Sequence, residues 1–278
     1  MTTTLRPAEA ERTTADGVRS RRYDICVNSR PVGSVELGTH PRFGPEAGRI
    51  TGLTIDPPDR RRGRATVAAL AAEEVLRGWG CRRVEIAVPA EAEGALALAT
   101  TLGYRERGRN MLKRLDGAPA LPDGSTTRPI GEAEYPGWLA RERAEFLASL
   151  VRGGIPEEVA AARADGDYRS LLPDGPATSG AVLRTLTHRG TDVGTIWIAT
   201  ESVPAGGGDA YVFSVEVAEE YRGRGHGRTL MLVAERESLA AGAHTLGLHV
   251  FADNPPALRL YESLGYEVTQ RNLSKPLA

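Results

Sequence analysis

A long internal repeat constrains this chain more than any other feature. When the 278-residue sequence is shifted by 162 residues against itself, positions 53–115 align with positions 215–277 without a gap, and 19 of these 63 positions are identical. The identities include glycines, a Leu-Gly-Tyr run, an Arg-Asn pair and both lysines of the chain, and an Ala/Arg/Gly-rich composition does not place such residues in one register. The repeat therefore predicts two domains, 1–115 and 126–278, joined by a proline- and glycine-rich linker at 116–125.

The two copies differ in what precedes the repeat. The second copy opens with a predicted strand at 126–130, an amphipathic helix at about 132–150 and a further helix at about 156–164. The first copy reaches its first strand near Tyr23 with room for little helix. We therefore expect the second copy to carry a pair of helices that the first copy lacks.

Beyond that point both copies follow one plan of strands and helices. In the second copy the pattern predicts strands at 181–187, 193–199, 211–217, 246–251 and 266–273, a helix from a Gly-rich turn to about 241, and a short helix that Asn254 caps and Gly265 ends. This order predicts an α+β fold for each copy, in which helices flank a mixed, mainly antiparallel sheet with a βαβ crossover at its centre.

Composition removes several classes of function. A formal net charge of −1 and a pI near 6.6 give no overall basic field, so we expect no nucleic-acid partner and no membrane partner. The chain has no run of 18 apolar residues, and its start lacks the apolar segment of a signal peptide. Two cysteines, Cys26 and Cys81, are too few for a disulfide framework and do not have metal-site spacing. These observations predict a cytoplasmic protein with no bound metal.

A glycine-rich turn between a strand and a helix is the sharpest chemical feature. It reads Arg222-Gly-Arg-Gly-His-Gly227, and a second version, Arg60-Arg-Arg-Gly-Arg-Ala65, lies at the same place in the first copy. Glycines let backbone N–H groups converge on one point, and the helix N-terminus adds partial positive charge, so such a turn binds phosphate, which flanking arginines can supplement. The sequence fits neither a Walker loop nor a dinucleotide-binding fingerprint. The predicted phosphate-binding residues are Arg222, Gly223, Arg224, Gly225, His226 and Gly227, with Arg60, Arg62, Gly63 and Ala65 as a candidate second site.

The turn and the segment that follows it resemble the GNAT acetyltransferase superfamily. Arg-x-x-Gly-x-Gly after a Val-x-Val strand is similar to motif A of that family, and the spacing from Asn254 through Leu-Tyr261 to Gly265-Tyr266 is similar to its motif B. The tandem arrangement resembles that of mycothiol synthase-like proteins, which often keep one active half. The resemblance implies two tandem GNAT-like domains, with acetyl-CoA as cosubstrate and the primary amine of a small molecule as acceptor.

The resemblance also implies which residues hold the cosubstrate. In the family the glycine-rich turn holds the pyrophosphate of acetyl-CoA, and Asn254 and Tyr261 fall at positions that complete this site. The backbone amides of Val215 and Val217 would polarise the thioester, because the strand that carries them separates from its neighbour in this family.

Three side chains are candidates for proton transfer, each with a structural alternative. Tyr261 occupies the position of the acid that protonates the departing CoA thiolate, and the alternative is a core aromatic packed on Leu258. Glu216 is our first candidate for the base, acting through water, and strand periodicity places it on the face of Ser214, away from its valine neighbours. Its alternative is a half-buried carboxylate paired with an arginine. His249 is the second candidate, because some members of the family carry a base at that place, and its alternative is a structural histidine.

The repeat supplies an internal control for these assignments. At the offset of 162, the residues Glu216, His249, Asn254 and Tyr261 face Thr54, Ala87, Ala92 and Ala99, whereas the turn is kept in part. We therefore predict that the second copy catalyses the reaction and that the first copy is a structural partner, which either retains a CoA or binds nothing. Two functions stay open, an N-acetyltransferase and a non-catalytic acyl-CoA-binding protein with a regulatory or scaffold role.

The acceptor is the least constrained part. Segment 131–167 carries eight acidic residues against four arginines, a net charge of −4 that favours a cationic amine, although solvated helix faces account for most of these charges. Trp138, Phe146 and Trp197 are candidates for the wall of an acceptor site, and core packing explains them equally well. We expect either a monomer, whose two copies form a pseudo-dimer, or a homodimer.

Overall fold

Both copies of the repeat fold into the same succession of elements in the computed structural model, which describes residues 3–277. In chain order the strands are β1 (Thr3–Pro7), β2 (Arg12–Thr13), β3 (Arg19–Val27), β4 (Arg30–His40), β5 (Gly44–Ile55), β6 (Arg83–Pro89), β7 (Arg105–Arg114), β8 (Ser125–Pro129), β9 (Ala181–His188), β10 (Thr191–Ala199), β11 (Ala210–Val217), β12 (Thr245–Phe251) and β13 (Glu267–Pro276). The helices are α1 (Arg64–Gly78), α2 (Glu93–Thr101), α3 (Tyr135–Arg152), α4 (Glu157–Leu171), α5 (His226–Ala240) and α6 (Pro255–Ser263).

The chain divides into two compact units that do not coincide with the two sequence copies. Unit 1 contains Met1–Arg107 and Arg271–Ala278, and unit 2 contains Gly108–Gln270. Most of the last strand of each copy therefore belongs to the unit built from the other copy. The boundaries predicted from the repeat, 1–115 and 126–278, do not show this exchange of last strands. A repeat gives the order of the elements and not the partner with which a strand pairs.

Unit 1 contains one sheet with the strand order β1-β3-β4-β5-β6-β13. Its pairs from β1 to β5 are antiparallel, and β5 pairs with β6 in parallel, as expected for strands joined through the helix α1. Helix α1 packs Ala68, Ala72 and Leu76 against this sheet. The strand expected near Tyr23 is β3, and it is not the first of its copy, because the short strands β1 and β2 precede it. The described residues of unit 1 contain no helix between β1 and β3, as expected.

Unit 2 contains a sheet with the order β7-β12-β11-β10-β9-β8, and both faces of this sheet are covered. Helices α5 and α6 pack on one face, where Leu230 and Met231 are fully buried. Helices α3 and α4 pack on the other face, around Trp138, Tyr168 and Trp197. The sheet of unit 2 therefore lies between two layers of helices.

The two helices predicted at the front of the second copy are present. Helix α3 (Tyr135–Arg152) lies close to its expected bounds, whereas α4 continues to Leu171, seven residues beyond the expected end at Ala164. The buried positions Ala160, Ala164 and Tyr168 follow one another at intervals of four, so the packed face continues beyond the expected end.

Each unit holds its exchanged strand with one of the two lysines of the chain. In unit 1 the Nζ atom of Lys275 lies 2.7 Å from Oε2 of the buried Glu73 on α1, and 5.7 Å from the ring centre of Tyr104. The equivalent residues of unit 2 are Lys113, Glu235 and Tyr266, at 2.6 Å and 5.7 Å. All three residue types repeat at the offset of 162, so the same buried ion pair fixes the same strand in both units.

Two absences hold for the part of the chain that the structure describes. No helix in residues 3–277 is both long enough and apolar enough to cross a bilayer. Within the same range, no group of three or more His, Cys, Asp or Glu side chains is arranged to hold a metal ion. Cys26 and Cys81 are buried free thiols.

Candidate active site

A gap opens between two neighbouring parallel strands of unit 2. The pairing of β11 with β12 ends at Val212 and Leu248, although β11 continues to Val217 and β12 to Phe251. A register shift in the pairing of β10 with β11 leaves Phe213 as an extra residue at the point where the strands part. We call the space bordered by 213–217 and 249–251 the strand gap. Backbone groups on its two sides have no ladder partner across it, so they are available to an extended ligand.

The glycine-rich turn follows directly at the end of β11. Gly223 and Gly225 have φ angles of +74° and +89°, a region that favours glycine, and Gly225 is the N-cap of the 15-residue helix α5. The backbone amides of 223–228 donate to no acceptor within residues 3–277. Six N–H groups and the positive end of a helix dipole therefore converge at one exposed turn, which is the arrangement that binds phosphate.

The side chains of the turn mainly contact other parts of the protein and hold the turn in shape. Nε of Arg222 donates to the carbonyl oxygen of Val217 at 3.1 Å, which ties the turn to the end of β11. Arg224 lies over the ring of Tyr221 at 5.7 Å. His226 is buried, with its ring centre 5.1 Å from that of His188, so it offers the turn its backbone amide and not its ring.

The structure explains the glycine at position 227 by helix packing, whereas the motif suggests a role in phosphate binding. A Cβ atom there would lie 3.3 Å from Leu260 and 3.9 Å from Val217. The missing side chain therefore lets α5 approach α6 beside the end of β11. This close approach brings Leu260, the residue before Tyr261, against Gly227 of the turn.

Helix α6 presents Tyr261 and begins at a capped end. The Oδ1 atom of Asn254 accepts a hydrogen bond from the amide of Ala257 at 3.2 Å, so Asn254 is the N-cap. Tyr261 is 9% exposed, and burial raises the pKa of its hydroxyl to about 12. That hydroxyl has no hydrogen-bond partner within residues 3–277 and is not sealed from solvent. It is therefore a protonated donor with an unused hydrogen bond.

Glu216 lies on the opposite face of β11 from Val215 and Val217, as its strand periodicity predicts. The valines pack toward α5, whereas Ser214, on the face of Glu216, reaches α3. Glu216 is half-buried and pairs across the sheet with Thr195 on β10. It therefore borders the strand gap from the side of α3 and α4.

Sequence reasoning missed a second carboxylate on that side, Glu142. Its Oε1 accepts a hydrogen bond from Ser214 Oγ at 2.6 Å, and the residue is 7% exposed. Burial raises the pKa of the Glu142 carboxyl to about 7, the Ser214 hydrogen bond opposes the rise, and the charge of Glu216 adds to it. Glu142 is an exception to the expectation that most acidic residues of 131–167 lie on solvated helix faces.

The sequence did contain a signal for Glu142. It lies four residues after Trp138 and eight before Leu150, and all three are buried on one face of α3. A carboxylate inside the apolar stripe of an amphipathic helix is typical of a paired or functional group, because burying a lone charge is costly.

His249 lies on β12 just past the end of the paired segment. Its Nδ1 is 2.9 Å from Asn110 Oδ1, and a Cβ on Gly108 would lie 2.6 Å from its Nε2. Burial, with a smaller contribution from Arg163, lowers the pKa of His249 to about 4. The ring is therefore neutral at physiological pH and a weak proton acceptor.

The aromatic candidates lie in the layer between α3, α4 and the sheet. Trp138 and Trp197 are fully buried and meet edge to face at 6.0 Å, and Phe146 meets Tyr168 edge to face at 6.2 Å. They form one wall with the carboxylate of Glu142.

Unit 1 repeats the backbone of this site without its side chains. The pairing of β5 with β6 ends at Arg49 and Glu85, so a second gap is present. Gly63 has a φ of +71° at the N-cap of α1, and the amides of 61–66 donate to no acceptor in the described residues. Nε of Arg60 donates to the carbonyl of Ile55 at 2.7 Å, as Arg222 does to Val217.

The turn of unit 1 also carries an ion cluster that unit 2 lacks. Asp59, buried at 4% exposure, accepts hydrogen bonds from Arg30 at 2.9 Å and 3.0 Å and pairs with the buried Arg64. Arg64 occupies the position of His226, while Arg62 and Ala65 follow the path of Arg224 and Gly227. A carboxylate beside the turn reduces its positive potential.

Comparisons with known proteins agree with this arrangement. The profile of the acetyltransferase (GNAT) family matches residues 3–104 and 158–266. A mycothiol acetyltransferase of Brachybacterium faecium is 33% identical over 234 residues, covering 81% of this chain and 67% of that protein. A mycothiol acetyltransferase of Tsukamurella paurometabola is 31% identical over 290 aligned positions, covering 96% and 92%.

Solved structures share the fold. A GCN5-related N-acetyltransferase from Sphaerobacter thermophilus matches with a TM-score of 0.59 and 21% identity, over 92% of this chain and 80% of that one. A tandem GNAT protein from the clavulanic acid biosynthesis pathway matches with a TM-score of 0.51 and 20% identity, over 96% and 85%. These likenesses confirm the predicted pair of α+β domains.

Proposed function

The chain belongs to the acetyltransferase (GNAT) family and is an acetyl-CoA-dependent acyltransferase, and we propose that unit 2 transfers the acetyl group directly to the primary amine of a small molecule. The observation that carries this proposal is the meeting of three features in one unit. Unit 2 has six backbone amides without an acceptor at the turn, the strand gap that ends at this turn, and the Tyr261 hydroxyl without a partner on the helix that packs against Gly227.

The chain's own groups divide the binding of the cosubstrate between them. The amides of 223–228 would hold the pyrophosphate, and Arg222 keeps the turn in place through Val217. The strand gap would hold the extended arm of acetyl-CoA, because unpaired backbone groups line both sides. The amides of Val215 and Val217 would then donate to the thioester oxygen as negative charge develops on it.

Proton transfer would use both faces of β11. The amine nitrogen forms a bond to the acyl carbon, and the carbon–sulfur bond breaks. Glu216 accepts a proton from the nitrogen through a water molecule, and Tyr261 donates its proton to the departing thiolate. Solvent then takes the proton from Glu216 and returns one to Tyr261, so transfer to a neutral amine releases no net proton.

The acceptor is proposed to be a small molecule and not a protein. Two relatives that align with most of this chain are named mycothiol acetyltransferases, and these names support a small-molecule acceptor. Negative charge on the acceptor side of unit 2, from Glu142 and Glu216, favours an amine without acidic groups.

Unit 1 is proposed as a non-catalytic partner. It keeps the turn and the gap, but Thr54 and Ala99 stand where unit 2 has Glu216 and Tyr261. The same backbone without an acid or a base favours a unit that supports the fold or binds a CoA without reaction.

A thiol-release assay tests the proposal directly. Purified full-length protein is mixed with acetyl-CoA and a panel of primary amines, and both free thiol and acetylated amine are measured. We expect thiol release that depends on an amine and matches the amount of amide formed. Tight CoA binding without release for every amine would instead support a non-catalytic acyl-CoA-binding protein.

A further inference from the structure

A buried carboxylate on α3 has no role in the reaction described so far. Glu142 is 7% exposed, and its Oε1 accepts the hydrogen bond of Ser214 at 2.6 Å. Ser214 lies two residues before Glu216 on the same face of β11. The Glu142 carboxylate therefore lies beside the group proposed as the base.

The second oxygen of Glu142 is available to a ligand. Oε2 accepts no hydrogen bond from residues 3–277, and it is not among the polar atoms that the fold seals from solvent. A buried carboxylate with one oxygen held and the other unused is oriented to bind a donor.

The wall around Glu142 is aromatic. Trp138 lies one turn before Glu142 on α3 and meets Trp197 at 6.0 Å, and Trp197 lies opposite Ser214 across the sheet. Trp197 is 3% exposed and its Nε1 has no acceptor within the described residues, as is true of Nε1 of Trp138. Both Nε1 atoms are sealed from solvent, so the wall offers a bound molecule an apolar aromatic surface beside the Glu142 carboxylate and no further hydrogen-bond donor.

The charge around Glu142 is negative. The groups that face it are Arg141 and Glu145 on α3, Tyr168 on α4, and Ser214 and Glu216 on β11. One arginine stands against three carboxylates, so the site attracts a cation and disfavours an anion.

From this geometry we propose that Glu142, held by Ser214, binds the acceptor as a primary ammonium cation together with Glu216 and takes the first of the two protons that its nitrogen loses. This inference rests on the proposed amine acetylation and names the chemical class of the acceptor. Glu142 would be a catalytic residue that contacts the acceptor, and Ser214 a positioning residue.

The proton count requires two acceptors on this side. An ammonium ion first gives one proton to Glu142, which leaves a neutral amine with a free electron pair. The amine then forms the carbon–nitrogen bond, and the second proton leaves the nitrogen for Glu216 through water. Tyr261 supplies one proton to the thiolate, so the net reaction releases one proton and both carboxylates return to their charged forms.

The test uses the full-length protein saturated with CoA and two probes of equal size, n-butylammonium and 1-butanol. Their dissociation constants are measured by NMR titration at pH 8 and pH 6. At pH 8 we expect the wild type to bind n-butylammonium at least about tenfold more tightly than 1-butanol, as a hydrogen bond to a charged group predicts. Because the pKa of Glu142 is raised to about 7, the preference should weaken at pH 6, where this carboxyl is protonated.

Two variants of α3 separate a specific role from a general effect of charge. Glu142→Gln keeps the shape of the side chain and the acceptor for Ser214, and it should abolish both the preference and its pH dependence. Glu145→Gln removes an exposed carboxylate one turn away whose charge raises the pKa of Glu142, so it should keep the preference and move its pH dependence only slightly to lower pH. The inference is wrong if Glu142→Gln retains the preference in a folded protein, or if the wild type shows none.

Ser214→Ala tests whether Ser214 positions Glu142 or has only a structural role. The Ser214 hydrogen bond lowers the pKa of Glu142, so its loss should move the midpoint of ammonium binding to higher pH. An unchanged midpoint would contradict the positioning role.

Failure of this inference is distinguishable from failure of the proposed function. Normal thiol release with an unchanged KM for the amine in Glu142→Gln would overturn the role of Glu142 and leave the acetyltransferase intact. Ammonium preference that is lost in Glu142→Gln, together with no thiol release from any amine, would support the cation site and overturn the transfer reaction.

Discussion

Units 1 and 2 keep the same backbone features and differ in the side chains around them. Both have a gap between two parallel strands, a turn with a glycine N-cap at positive φ, and an arginine that donates to the strand end. Unit 2 has Glu216 on the inner strand and Tyr261 on the short helix, where unit 1 has Thr54 and Ala99. Duplication therefore preserved what the fold requires, while the chemistry was kept or gained in one copy.

The two lysine–glutamate pairs show the pattern expected of residues that the fold requires. Lys113 with Glu235 and Lys275 with Glu73 occupy equivalent positions, and in each pair the glutamate is buried and the lysine half-buried. A residue that the fold needs is thus present twice. Glu142, Glu216 and Tyr261 are present once, which is the pattern expected of residues that serve a reaction.

The largest expected effect comes from the two N-cap glycines. Gly225→Val and Gly63→Val impose the same backbone strain, because each glycine has a positive φ and a Cβ at either would meet no atom within 4 Å. We expect Gly225→Val to reduce turnover by about a hundredfold or more, since it displaces the amides that position the cosubstrate. Gly63→Val should leave most of kcat unchanged.

Thiol release and calorimetric CoA binding measure both variants. Equal losses of turnover in two folded variants would contradict the assignment of catalysis to unit 2.

The next effect concerns the base. Glu216→Gln should lower kcat at saturating amine by about 10²–10⁴-fold, the usual contribution of a general base. Thr54→Val at the equivalent position of unit 1 should leave kcat unchanged. The pH dependence of ammonium binding should persist in Glu216→Gln, since it arises from Glu142.

His249→Gln tests the second candidate for the base through the pH–rate profile. A ring with a pKa near 4 is neutral throughout pH 6–8, so its removal should leave the shape of the pH–rate profile in that range unchanged. If a limb of the pH–rate profile disappears in His249→Gln and persists in Glu216→Gln, His249 is the base and Glu216 is not.

We expect the two lysine–glutamate pairs to contribute equally to the free energy of unfolding. Lys113→Met leaves Glu235 buried without its cation, and Lys275→Met does the same to Glu73, so each should cost about 3 kcal/mol of unfolding free energy. The double variant Lys113→Met/Glu235→Gln should recover much of the loss, because no charge remains buried. Urea unfolding measures all of these, and a cost confined to one unit would contradict the structural equivalence.

Sequence reasoning reached the features that repeat locally. The glycine turn, the short helix with its Asn254 cap and the face of Glu216 all follow from spacing and periodicity within a few residues. The strand exchange did not follow, because Arg271–Leu277 and Gly108–Leu115 have nearly the same pattern and either could pair in either unit. Glu142 was missed because its burial depends on the approach of α3 to β11, a tertiary contact that charge counting does not contain.

The smallest effect tests the acid. Tyr261→Phe removes a hydroxyl that has no partner in residues 3–277 and keeps the ring, so stability should change little. Water replaces a missing acid in part, so kcat should fall by about 10- to 100-fold with the KM for acetyl-CoA nearly unchanged. Tyr266→Phe is the matched control, since its ring centre lies 6.0 Å from that of Tyr261 and its hydroxyl is sealed inside the fold. If the two variants lower kcat equally, or Tyr261→Phe keeps the wild-type rate where chemistry limits turnover, Tyr261 is a core aromatic and the thiolate takes its proton from elsewhere.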